Sequence, residues 1–387
     1  MYKILKSLIA AKTYYPVEGG AFLYLKKFLR KKGFITTRQE VEKRRYNLLA
    51  EKGNAKEAIL ILIHIDTVAP ASNWERNPFA LRKEGDNYIG LGAFDMKGGT
   101  AALLSLLDSF AYKNYTLKLA FCIGEEGISD GAYALSNSSF INNVVFGLCP
   151  EACLVPDKWP LPIMITIGGR GRCVVEIKIP GETRHGAENN GGINAIAEAA
   201  ALVRELKKLP LSYDKRFGKS AFFVRSFHAE NDSLSIPDVA MVEIDYQLVP
   251  GETPELVLKK VNLFVKSLYS KGKLNKKVMN KSVVVLKERK TPYVLPYAVS
   301  ESNRYVKKVK EISQELFGKS ALEYTKSVAD ENVLVNAGVP IITIGPLGGN
   351  AHEAQEWVSK TSLEKVAQFY KKLFAFLDAK KGFVSKR

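Results

Sequence analysis

At 387 residues the chain is long for one domain and natural for two, and a hydrophobic fraction of 46% is enough to fill their cores, which excludes a disordered chain. No apolar run approaches the ~20 residues that span a bilayer, so no membrane partner is expected. The net charge of +17 reads as a lysine-coated surface: pairs such as Lys207-Lys208, Lys259-Lys260, Lys276-Lys277 and Lys380-Lys381 are scattered, no aromatic-interleaved basic motif or helix-turn-helix signature accompanies them, and a nucleic-acid partner is not expected.

Leu5, Leu8 and Ile9 fit one face of an N-terminal helix. Their apolar stretch is short and Lys12 interrupts it, which does not fit a secretory signal. Four cysteines in a chain of this size make no disulfide framework, so a reduced, cytoplasmic location is expected. Residues 21–32 have helical periodicity. Residues 58–65 form an almost unbroken apolar run, as suits a strand buried on both faces of a parallel sheet. Residues 100–110 are apolar on a helical period, 117–123 and 144–148 read as two more buried strands, and 341–344 as a fourth. A helix over 363–377 follows, and 380–387 read as a frayed tail. The middle of the chain differs. Strand, helix, strand, strand, helix, strand over 172–179, 193–206, 221–227, 239–248, 254–268 and 283–287 is the split-βαβ order. A compact α+β module inserted in an α/β domain explains this, with Gly168-Gly169 and Lys290-Thr291-Pro292 as hinges. The expected division is 1–168 with 291–387, and 169–290.

Chemistry-bearing residues gather at the ends of these strands. His64-Ile65-Asp66 ends the first, Glu125-Glu126 follows the second and Cys149-Pro150-Glu151 the third. Asp95 precedes Lys97-Gly98-Gly99 at a helix start, and His352 lies in the glycine-rich Gly349-Asn350-Ala351-His352. Singly these have bland readings: a structural histidine, a helix cap, a surface acidic pair. Yet an uncompensated carboxylate pair after a buried strand is costly, and ligands in open α/β sheets collect at the carboxyl ends of strands. Imidazoles and carboxylates gathered there suit Zn²⁺ or a similar divalent ion, and the pattern points to a two-metal hydrolase. Cys149 and Cys153 read as buried thiols, and His228, without such a frame, as structural. Gly90-Leu91-Gly92 lacks the third glycine and the βαβ frame of a dinucleotide site.

The ordered set resembles the dinuclear zinc amidohydrolases and exopeptidases, the family of acetylornithine deacetylase, succinyl-diaminopimelate desuccinylase, aminoacylase and glutamate-releasing carboxypeptidases. The resemblance lies in residues 53–70, 90–99, Glu125-Glu126-Gly127, His185-Gly186-Ala187 with Gly192-Ile193-Asn194-Ala195-Ile196, and 330–356. It implies a zinc-peptidase-like catalytic domain, a mixed, mostly parallel sheet sandwiched by helices, carrying a ferredoxin-like lid and dimerisation domain. It also implies two divalent ions per chain, Zn²⁺ before Co²⁺ or Mn²⁺, an N-acyl amino acid or short peptide as substrate, and a homodimer. Asp95 would bridge the ions, His64 and Glu151 would complete one site, and Glu126 and His352 the other. Asp66 would orient an imidazole, Glu125 would be the general base, and His185 would stabilise an oxyanion, often across the dimer. Two positions depart from the family: Gln247 stands where many relatives have the arginine of Asp-x-Arg, and Leu234 where they have asparagine. Glutamine cannot grip a carboxylate as a guanidinium does, so Arg170, Arg172 and Arg225 are candidates to supply one.

Overall fold

A computed structural model describes residues 1–152, 160–188, 191–231 and 233–379; Cys153 and the expected tail 380–387 lie outside them. The chain forms two units, Met1–Gly169 with Ala298–Thr325 and Ala329–Arg387, and Arg170–Tyr297 with Lys326–Val328. The second boundary falls beyond the expected 290 because the following residues bond to the second unit's sheet. Arg172 N donates to Val294 O at 3.0 Å, and Tyr293 Oη to Lys287 O at 2.7 Å.

The first unit is built on four parallel strands: β1 (Ala58–His64), β2 (Thr116–Cys122), β3 (Val144–Cys149) and β4 (Ile341–Pro346). Their spatial order is β2-β1-β3-β4. Every residue of β1 and β4 is buried, as apolar runs covered on both faces require. Each such leucine or isoleucine contributes about 1.5–3 kcal/mol on burial. Outside β2 lies an antiparallel hairpin, Ile35–Glu42 and Arg45–Lys52, and beyond β4 the antiparallel strand Ile163–Gly169. The expected helices are present. Tyr2–Ala10 buries Ile4, Leu5, Leu8 and Ile9; α1 (Gly98–Leu104) is buried throughout; α2 (Lys360–Asp378) buries eight of its side chains, from Ser362 to Leu377. A small sheet of short strands, Arg82–Glu84, Asn87–Ile89, Gly348–Gly349 and Trp357–Ser359, is held by antiparallel pairing. No helix among the described residues is long and apolar enough to cross a membrane.

The second unit has the split-βαβ order. Its four antiparallel strands lie as Ala221–His228, Val239–Leu248, Gly171–Pro180, Val283–Leu286, the ferredoxin-like arrangement. One face of the sheet packs Val175, Ile177, Val242, Ile244 and Tyr246 against Ala199 and Leu202 of helix Ala195–Glu205 and Val257, Val261 and Val265 of helix Pro254–Ser270. Asn194 caps the first helix, accepting from Ile196 N at 2.9 Å. Thr253 caps the second, with Pro254 in its first turn.

Candidate metal centre

Parallel pairing of β2, β1 and β3 brings His64, Glu125-Glu126 and Glu151 to one end of the sheet. Asp95 joins them from the turn before α1, and His352 from the turn between Gly348–Gly349 and Trp357–Ser359, with φ +64°. The ligand atoms of His64, Asp95 and Glu151 lie within 4.8 Å of one another, and so do those of Asp95, Glu126 and His352. The two groups share Asp95, and its two oxygens divide between them. Oδ1 lies 2.9 Å from His64 Nε2, and Oδ2 lies 3.3 Å from His352 Nε2. His352 Nε2 is also 3.0 Å from Glu126 Oε2.

Asp66 touches both His64 and Glu126. His64 Nδ1 lies 3.1 Å from the main-chain oxygen of Asp66 and 3.9 Å from its carboxylate. The carboxylate instead accepts from Glu126 N at 3.0 Å. Asp66 therefore holds the imidazole of His64 chiefly through its backbone and the backbone of Glu126 through its side chain.

The electrostatics test whether cations fit. Asp66, Asp95, Glu125, Glu126 and Glu151 crowd together with Asp330 and Glu331, two buried acids that the sequence reading left without a role. Burial pushes the Glu125 carboxyl well above the usual range; the His64 imidazole opposes this, and Glu151 and Asp330 reinforce it. Burial and then Glu331 push Glu151 up in the same way. Burial raises Asp66 to about 7 and Asp330 to about 8. Nearby positive charge comes from the two imidazoles and the buried Lys97, which its own burial lowers to about 8. This many carboxylates cannot all ionise in a buried space without added cations. Oxygen and imidazole donors in two groups around one shared carboxylate fit two divalent ions. Glu331 accepts from Thr343 Oγ1 and lies with Cys149 and Glu151 in a further donor group. Cys149 Sγ is 3.7 Å from Glu151 Oε2, and burial pushes its thiol well up, so it is a neutral buried thiol.

In the second unit His185 is exposed, its Nδ1 accepting from Ala187 N at 3.2 Å, with Gly186 N bonded to Leu234 O at 2.6 Å. Leu234 itself is 85% exposed, and His228 forms an exposed pair with Glu230 at 3.2 Å. Arg170 is buried and donates to the carbonyls of Phe217 and Lys219, at 2.7 and 2.8 Å. Arg172 stands directly across from Gln247 in the sheet and grips Asp245 with Nε and Nη2, at 2.9 and 2.5 Å. Arg225 lies 3.8 Å from Glu243 and is 44% exposed.

The chain is similar in sequence and in fold to known proteins. The chain is 23% identical over 386 residues to succinyl-diaminopimelate desuccinylase of Pelagibacter ubique, covering 95% of this chain and 96% of that one. Its fold is similar to that of a tripeptidase from Staphylococcus aureus, with a TM-score of 0.78 at 19% identity over 98% of both chains. It is also similar to the YXEP protein of Bacillus subtilis, described as a dinuclear metal binding peptidase, with a TM-score of 0.72 at 16% identity over 97% of both. Residues 60–375 match peptidase family M20/M25/M40, and the chain belongs to that family.

Proposed function

We propose that this metal-dependent hydrolase holds two zinc ions and cleaves the amide beside an amino acid, with an N-acyl amino acid as substrate. The observation that carries the reading is Asp95, one carboxylate whose two oxygens face different histidines. His64 and Glu151 would hold one ion and Glu126 and His352 the other, with Asp95 belonging to both donor groups. Two divalent ions bound there would supply polarisation of the scissile carbonyl and a lowered pKa for a water. Glu125, outside both donor groups but among them electrostatically, takes a proton onto its carboxylate and returns it to the leaving amine. The likeness to a tripeptidase fold favours short peptides as the second reading. Purified protein is expected to contain about two divalent ions per chain, to lose all hydrolysis on chelation, and to regain it with Zn²⁺, Co²⁺ or Mn²⁺. Assays on acetylated and succinylated amino acids against di- and tripeptides separate the two substrate readings. Full activity in rigorously metal-free protein ends both.

The reading extends to assembly: two copies pair through the second unit, and His185 of the partner subunit stabilises the oxyanion. Support comes from the strand Ala221–His228, which lies at the edge of its sheet and leaves Phe223 56% exposed. Mixing inactive His185→Ala subunits with inactive Glu125→Gln subunits is expected to restore part of the activity. No recovery after demonstrated subunit exchange means that His185 serves its own chain or none.

A further inference from the structure

Glu356 lies four residues beyond His352 and is 2% exposed. Its carboxylate receives three backbone N–H groups from the turn that carries Asp95. Gly92 N donates to Oε2 at 2.6 Å, and Phe94 N and Asp95 N both donate to Oε1 at 2.9 Å. The main-chain oxygen of Glu356 accepts from Gly90 N at 3.0 Å. Convergent N–H groups in a turn of this kind form a cradle for an anion. The turn is opened by Gly92 at φ +76°, where a Cβ would meet Thr67 Cγ2 at 2.7 Å, so both conformation and space favour glycine. Here the cradle is filled by a side chain of the protein. A carboxylate suits it because it offers acceptors alone, whereas an amide turns one NH₂ toward N–H donors.

We infer that Glu356 is a positioning residue for the metal centre. It fixes the main chain at Asp95 so that Oδ1 faces His64 while Oδ2 faces His352. Because Glu356 and His352 share one loop, the same contact sets the spacing of two donors. The inference rests on the proposal above that Asp95 spans both ions.

Glu356→Gln and Glu356→Asp are compared with wild type and with Leu373→Ala, a core truncation in α2 at a fully buried site. In the metal-free protein, hydrogen exchange over residues 90–97 is expected to quicken in Glu356→Gln and to stay at the wild-type rate in Leu373→Ala. Titration with Co²⁺, read by its visible absorption, is expected to show both ions bound ~10–100-fold more weakly in Glu356→Gln, with an altered spectrum. Glu356→Asp, which keeps the charge on a shorter stem, is expected to lie between. It carries the test if Glu356→Gln does not fold. Wild-type affinity and spectrum in the glutamate variants overturn the inference, and so does an equal loss in Leu373→Ala. If wild type itself takes up a single ion, the two-ion reading fails, and the exchange measurement still decides whether Glu356 holds the turn.

Discussion

Glu125→Gln is expected to retain both ions and lose roughly 10²–10⁴-fold in kcat, the span of a general base. Its neighbour Glu126→Gln is expected to lose metal first. The two side chains differ by one position after β2, but only Glu126 belongs to a donor group. Glu126 Oε2 lies 3.0 Å from His352 Nε2, its side chain is 4% exposed, and its amide is pinned by Asp66. Glu125 belongs to neither donor group, yet burial and its acidic neighbours favour a proton on it. Glutamine keeps the shape of each and removes only the charge and the proton acceptor. Metal analysis beside single-turnover rates separates the outcomes. Metal loss in Glu125→Gln with full occupancy in a slow Glu126→Gln means the two roles are exchanged.

The centre of the molecule was legible because its constraints are local. The run over 58–65 leaves few alternatives to a strand covered on both faces, and the same holds for 117–123 and 341–344. Each candidate donor at a strand end could then be placed by the rule for parallel sheets. The hairpin Ile35–Glu42 and Arg45–Lys52 escaped notice. Its outer strand buries no residue fully, and its turn uses Arg44 at φ +68° in place of a glycine. Strands of two or three residues, such as Trp357–Ser359, are too short to show a period. Helix Arg304–Phe317 did carry a signal: Tyr305, Val306, Val309 and Ile312 on one face, Asn303 as cap and Gly318 as stop. Lysines between those positions masked it. The site shows the same division. Donors in distinctive frames could be named, but Asp330 and Glu331 look like ordinary acids in a first helical turn. The partners of Glu356 lie more than 260 residues away, beyond any local pattern. The backbone oxygen of Asp66 faces His64 while its carboxylate accepts from Glu126 N, a division between carbonyl and carboxylate that a sequence does not specify.

Gly345→Ala is expected to lower stability by about 1–3 kcal/mol and to weaken metal binding along with it. Gly345 lies in β4, and a Cβ there would stand 2.0 Å from Glu151 O and 2.7 Å from Ala152 N. A Cβ on Gly99, in α1, would likewise stand 1.8 Å from Pro150 O. The segment that carries Glu151 therefore runs close to two glycines, and both contacts are with backbone. A flexible side chain could swing aside, but a main-chain carbonyl moves only with its neighbours. The added methyl must displace the carbonyl of Glu151, and the displacement reaches its carboxylate. Gly318→Ala supplies the comparison. That residue ends helix Arg304–Phe317 at φ +70° with open space around it, so alanine there meets only backbone strain, roughly 1–2 kcal/mol. The two variants are expected to lose similar stability in denaturant titrations of the metal-free protein. Only Gly345→Ala is expected to bind Zn²⁺ more weakly. Unchanged affinity in Gly345→Ala would mean that the strain is absorbed in β4, and that Gly345 serves packing without setting the place of Glu151.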